Sequence, residues 1–116
     1  MNFLAQLIVS ALAVIITAYV LPGVNINSVI TGIIVAAVLS LLNTLVKPIL
    51  IVLTIPITIF TLGLFLLVIN ACIILLTSRI VTGFEVDGFW PALFFSIILS
   101  LVTSIFNGLA RKKEEE

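Results

Sequence analysis

No charged side chain stands before Lys47, and none stands between Lys47 and Arg79. A globule of this length has so much surface relative to its volume that polar residues must cover most of it, and these stretches offer almost none. Charged residues make up only 9% of the 116 residues, against 63% hydrophobic, and mean hydropathy is +1.50. Uncharged apolar runs of about 18 residues or more are what a hydrocarbon layer about 30 Å thick demands. The chain therefore reads as an all-α integral membrane protein, a single membrane domain over residues 1–116.

Several function classes fall away on the same grounds. Formal net charge is zero and the few basic residues are not interleaved with aromatics, so no nucleic-acid surface is expected. Cys72 is the only cysteine and there is no histidine, which excludes an intramolecular disulfide and leaves no ligand set for a metal. Cys72 reads as a small apolar packing residue. No intramembrane carboxylate, and no serine or cysteine beside a base, is available for acid-base or nucleophilic chemistry, so the chain is expected not to be an enzyme. No cofactor and no small-molecule substrate is inferred; the partners expected are membrane lipids and further copies of the chain. Met1-Asn2-Phe3 lacks the basic start of a secretory leader, so the first span is expected to remain in the mature protein.

The first apolar run goes from Phe3 to Leu21 and closes at Pro22-Gly23, a turn signal. The second goes from about Val29 to Val46 and closes at Lys47-Pro48, and the last from about Phe89 to Ala110, before Arg111, Lys112 and Lys113. Between them an uncharged stretch from Ile49 to Ser78 is too long for one crossing and too short for two. Pro56 interrupts it, flanked by Thr54, Thr58 and Thr61, whose hydroxyls can satisfy carbonyls that a proline frees. The dozen or so residues from Ile49 to Phe60 would rise only about 18 Å as helix. They are placed in a re-entrant or interfacial connecting segment, with the third span at about Leu62 to Arg79. One tilted, Pro-kinked helix of about 30 residues is the competing picture.

Basic residues set the expected orientation. With the N-terminus in the cytoplasm, Lys47, Arg111, Lys112 and Lys113 lie inside. Arg79 lies outside, beside Glu85 and Asp87. Four spans with both termini cytoplasmic satisfy this pattern, and Glu114 to Glu116 form a solvated tail.

Sliding the sequence against itself by 60 positions aligns Leu4, Leu7, Ala11, Thr17, Gly23, Leu39, Ser40 and Leu41 with Leu64, Leu67, Ala71, Thr77, Gly83, Leu99, Ser100 and Leu101. Polar positions coincide too: Ser10 with Asn70, Asn25 with Glu85, Asn27 with Asp87, and Asn43-Thr44 with Thr103-Ser104. Leucine matches are cheap in this composition; glycine and polar matches are not. The reading is a tandem repeat of two-span hairpins, about 3–47 and 61–110, joined by the segment 48–60 and followed by a charged tail, 111–116. Two crossings per half make the halves parallel, related by an axis along the membrane normal. The outer loops, Gly23-Val24-Asn25-Ile26-Asn27 and Gly83-Phe84-Glu85-Val86-Asp87, alternate apolar and polar residues after a glycine. This fits either a pair of short antiparallel strands or ordinary turns that dip into the interface. Phe89 and Trp90 anchor the fourth span at headgroup level.

Asn43 and Asn70 lie within spans, where an amide needs a partner; each reads as an interhelical tie or as part of a polar seam lining a path. Lys47 snorkels toward phosphates from the end of its span. Gly32, Ala36 and Ser40 form a small-residue stripe that permits close helix approach, to a neighbour within the chain or outside it.

Asn43-x-x-Val46-Lys47-Pro48, Leu53-Thr54-x-Pro56-x-Thr58-x-x-Thr61-Leu62-Gly63-Leu64-Phe65, Ile69-Asn70-Ala71 and Val86-Asp87-Gly88-Phe89-Trp90 together resemble the small bacterial membrane proteins grouped as the mycobacterial-type, four-helix phage holins of superfamily IV. The resemblance covers nearly the whole chain. It implies a multi-pass protein of the bacterial cytoplasmic membrane. The family name comes from phage proteins that permeabilise that membrane by assembling in it, while most members are chromosomal proteins without an established role. Three functions stay open: an oligomerising permeability or pore protein, a non-conducting protein that supports lipid packing or a partner, and a small channel or transporter using the Pro56 break.

Overall fold

The computed structural model describes residues 2–115, with side chains as far as 109. Helix α1 spans Phe3–Val20 and is capped by the Asn2 side chain, which accepts from the Ala5 N–H at 2.7 Å. It ends where Leu21 turns extended, leading through Gly23 (φ +87°) into strand β1, Val24–Ile26. Ser28 caps α2, Val29–Leu45, by accepting from the Thr31 N–H at 3.2 Å. Two short helices follow, α3 over Lys47–Leu53 and α4 over Ile55–Phe60, each with a proline in its first turn, where the missing N–H costs nothing. Helix α5 spans Phe65–Ile80, strand β2 Phe84–Val86, and α6 Phe89–Glu115.

Helices α1, α2, α5 and α6 form an antiparallel ring in which α1 packs on α2, α2 on α5, α5 on α6, and α6 on α1. Strands β1 and β2 pair antiparallel across one end of the ring, with Asn25 opposite Glu85 at the centre. The ladder is extended symmetrically: the Asn27 N–H donates to the Gly83 carbonyl at 3.1 Å, and the Asp87 N–H donates to the Gly23 carbonyl at 2.8 Å. Of the two loop readings, the strand pair is the one the chain adopts.

Positions sixty apart take matching places in the fold. Thr17 and Thr77 are both fully buried, and their hydroxyls donate to the carbonyls of Ala13 and Ile73 at 2.7 and 2.8 Å. Val24 and Phe84 point inward from equivalent strand positions, and so do Val35 and Phe95 from α2 and α6. Phe84 and Phe95 meet at 5.6 Å between ring centroids with a 56° tilt.

Three span boundaries differ from the sequence reading. Apolar helix continues past Val46 to Leu53, a run of 25 residues from Val29, because Val46 keeps right-handed helical geometry and carries the chain through Lys47-Pro48. The third run is shorter than expected. Leu62 (φ +58°) and Gly63 (φ +87°) both adopt left-handed geometry, and the Gly63 N–H reaches back to the Thr58 carbonyl at 2.8 Å, a closure that ends α4 and delays α5 to Phe65. At 16 residues α5 rises about 24 Å. Helix α6 in turn carries the backbone through the charged tail to Glu115; the tail's side chains lie outside the described residues. Three helices are thus long and apolar enough to cross a membrane, Phe3–Val20, Val29–Leu53 and Phe89–Leu109, with α5 a shorter apolar fourth. The breaks at Thr54 and at Leu62-Gly63 also mean that 49–78 does not form one kinked helix.

Candidate functional site: a polar cleft inside the bundle

The ring is tight at the ribbon end and opens toward the other. Val14, Val35, Ile74 and Phe95 each lie six residues from the ribbon end of their helices, at one level about 9 Å below it, and all are buried. Gly32 draws α1 and α2 together here: a Cβ on it would stand 2.6 Å from Ile15 Cγ1. The stripe Gly32-Ala36-Ser40 therefore faces α1 of the same chain, with Ala36 buried and Ser40 exposed.

Where the stripe reaches Ser40 a cleft of about 320 Å³ begins, its polar lining supplied by Ser10 of α1, Ser40 and Asn43 of α2, and Ser100, Thr103 and Ser104 of α6. Adjoining chambers share these walls. One reaches Asn70, Ser96 and Lys47, and another reaches Gln6 and Asn107 near the end that carries the chain termini. A third, of about 230 Å³, runs sideways between α5 and α6 past Leu67, Ile97 and Leu101. By helical rise, Ser10 and Asn70 stand about 15 Å from the ribbon end, Ser40 and Ser100 about 16 Å, and Asn43 and Thr103 about 21 Å. These levels lie within the hydrocarbon layer of any bilayer that the bundle spans.

The outer side of the bundle is of opposite character. Tyr19, Phe60, Leu101, Ile105 and many other large apolar side chains are exposed, which suits contact with lipid or with another apolar helix. Trp90 is 65% exposed at the start of α6 and packs edge-on against Phe89, at 5.5 Å.

Several hydroxyls outside the cleft bond their own backbone. Thr44 donates to the Ser40 carbonyl, and Thr54 and Thr61 donate to carbonyls of α3 and α4 on either side of Pro56, while Thr58 lies 3.4 Å from Thr54. These α3 and α4 carbonyls already accept backbone N–H groups, from Thr54 and Thr61 themselves, so the hydroxyls do not serve the Val52 carbonyl that Pro56 leaves free. Among the described residues the side-chain hydrogen bonds close within four positions along the chain, and none engages the side chains of Asn43, Asn70, Ser10, Ser40 or Ser100. Asn70 thus lines the cleft without tying two helices together. Among the described residues no buried side-chain polar atom lacks a partner; the Asn43 and Asn70 amides are open to the cleft instead.

The other candidates lie apart from the cleft. Pro48, Thr54, Pro56, Thr58, Thr61 and Gly63 belong to the α3–α4 connection, which has no buried residue. Gly23, Gly83, Asp87 and Trp90 belong to the ribbon end. Ser10, Ser100, Thr103 and Ser104 were not singled out as candidates from sequence, although the signal was there. Each matches a polar residue sixty positions away: Asn70, Ser40, Asn43 and Thr44. The first three of these pairs converge on the cleft.

A family model described as the mycobacterial 4 TMS phage holin, superfamily IV, matches residues 1–105. The chain belongs to this family. It is 42% identical over 97 residues to the uncharacterised membrane protein YvlD of Bacillus subtilis, covering 83% of this chain and 82% of that one. It is 41% identical to the uncharacterised protein SCO3922 of Streptomyces coelicolor, covering 91% and 93% of the two chains. No solved structure matches. The chain is thus a holin-like membrane protein.

Proposed function

We propose that this protein is a permeability protein of the bacterial inner membrane, built from a duplicated helical hairpin that crosses the bilayer four times with both termini cytoplasmic. The observation that carries the reading is the polar cleft. Residues sixty apart, Ser10 with Asn70, Ser40 with Ser100, and Asn43 with Thr103, furnish a hydrophilic vestibule at hydrocarbon depth, on the side of the termini. Lys47 beside the vestibule and Arg111 to Lys113 after α6 favour the cytoplasm for that side. Beyond it, Val14, Val35, Phe84 and Phe95 seal the ribbon half, so one copy by itself is closed. Conduction is therefore assigned to an assembly of copies, and no catalytic step is assigned to the chain.

A second reading has its own support. The sealed half and the absence of charge between Lys47 and Arg79 equally suit a non-conducting protein that shapes lipid packing or braces a partner. Inducible expression with a membrane-potential dye separates the two. Depolarisation that tracks the amount of protein in the membrane supports permeability. A steady potential at high membrane abundance refutes it and leaves the second reading.

A further inference from the structure

We infer that the cleft is a binding site for the phosphate-bearing headgroup of an anionic phospholipid, which enters sideways between α5 and α6. The inference rests on membrane insertion alone and holds whether or not the assembly conducts. Three observations lead to it.

First, the side chains of Asn43, Asn70 and Ser100 are open to the cleft and have no hydrogen-bond partner among the described residues. Each can donate a hydrogen bond, and phosphate oxygens accept several at once. Second, the charge beside these groups has one sign. Half-buried Lys47 lines the same chamber as Asn43, Asn70 and Ser100, and among the described residues no carboxylate lines any of the four chambers. An ammonium over neutral donors selects an anion. The chamber that Lys47 and Asn70 line is small, about 80 Å³, but through Asn43 and Ser100 it borders the cleft of about 320 Å³, a volume in the range of roughly 300–1,000 Å³ found for small-ligand sites.

Third, the lateral chamber distinguishes a lipid from a free anion. It joins the headgroup chamber through Asn70, Ser96 and Ser100, while its other wall is apolar, formed by Leu67, Ile97 and Leu101. A soluble phosphate has no use for an apolar side opening, whereas acyl chains must leave the bundle through one.

The test uses the full chain purified in mild detergent, titrated with phosphatidylglycerol and followed by native mass spectrometry. One tightly held lipid per chain is expected. Ser100→Leu, which fills the shared chamber, should abolish that adduct, and Lys47→Gln, at a half-buried site beside the cleft, should weaken it about tenfold. Thermal unfolding in the same detergent checks that each variant is folded, and Lys47→Gln serves if Ser100→Leu is not. Adducts as stable in the folded variants as in the parent overturn the inference. So does displacement of the lipid by inorganic phosphate, which would assign the cleft to a free anion.

Discussion

Replacing Gly32 by alanine adds one methyl group at a close contact between α1 and α2. The new Cβ would lie 2.6 Å from Ile15 Cγ1 and 2.8 Å from its Cδ1, whereas carbon atoms rest at about 3.5–4.0 Å. The helices must part by about 1 Å, or Ile15 must leave its rotamer, and a β-branched side chain in a helix has one strongly preferred χ1. Overpacking of this kind costs about 1–3 kcal/mol. The alanine returns about 0.5–1 kcal/mol in helix propensity, which leaves a net loss centred on about 1 kcal/mol. Unfolding in mixed micelles titrated with a denaturing detergent measures it. A double-mutant cycle with Ile15→Ala isolates the cause, because the clash disappears with the Ile15 side chain and Gly32→Ala should then cost nothing or stabilise. The matching position sixty residues on is already alanine, Ala92, fully buried and evidently accommodated by its own neighbours. Gly32→Ala as stable as the parent, or a penalty unchanged by Ile15→Ala, refutes the claim that this glycine sets the α1–α2 distance.

Phe95→Ala removes the largest inward side chain of α6 from the sealed half together with its contact to Phe84; it should cost about 3–5 kcal/mol and, on the permeability reading, speed depolarisation on induction, while an unaltered leak places the seal elsewhere. Gly83→Ala puts a side chain on a residue at φ +95° with a Cβ 2.6 Å from the Asn27 amide nitrogen. It should destabilise the ribbon end by about 1–3 kcal/mol, and thermal unfolding no lower than that of the parent contradicts this. In a Cys72→Ala background, cysteine at Asn43 or Thr103 should react with a membrane-impermeant thiol reagent applied from the side of the termini, and cysteine at buried Val35 should not; equal labelling of all three positions would mean that the cleft is not an aqueous compartment.

The membrane character of the chain was legible from the spacing of its charges, because lipid tolerates no other distribution and water would not tolerate this one. Periodicity and punctuation also gave the loops at Pro22-Gly23, the break near Pro56 and the strand-like alternation after Gly23 and Gly83. The end of the second helical run was not legible. Lys47-Pro48 looks like a stop, but a proline in the first turn of a following helix lets the chain continue, and nothing local distinguishes the two cases. Nor was the late start of α5, since Leu62 takes up a left-handed conformation that its residue type does not announce.

What the residues alone determined is the solvent of the fold and the internal echo at sixty positions, both properties of composition and order. Tertiary structure alone decided which neighbour the Gly32 stripe meets, and that the echoed polar residues share one cleft. Ser10, Asn70, Ser40 and Ser100 sit on four different helices, and their convergence depends on the ring order and axial register. Those are fixed by the ribbon pairing and by the packing of Val14, Val35 and Phe95, contacts between parts of the chain too far apart in sequence for any local pattern to encode.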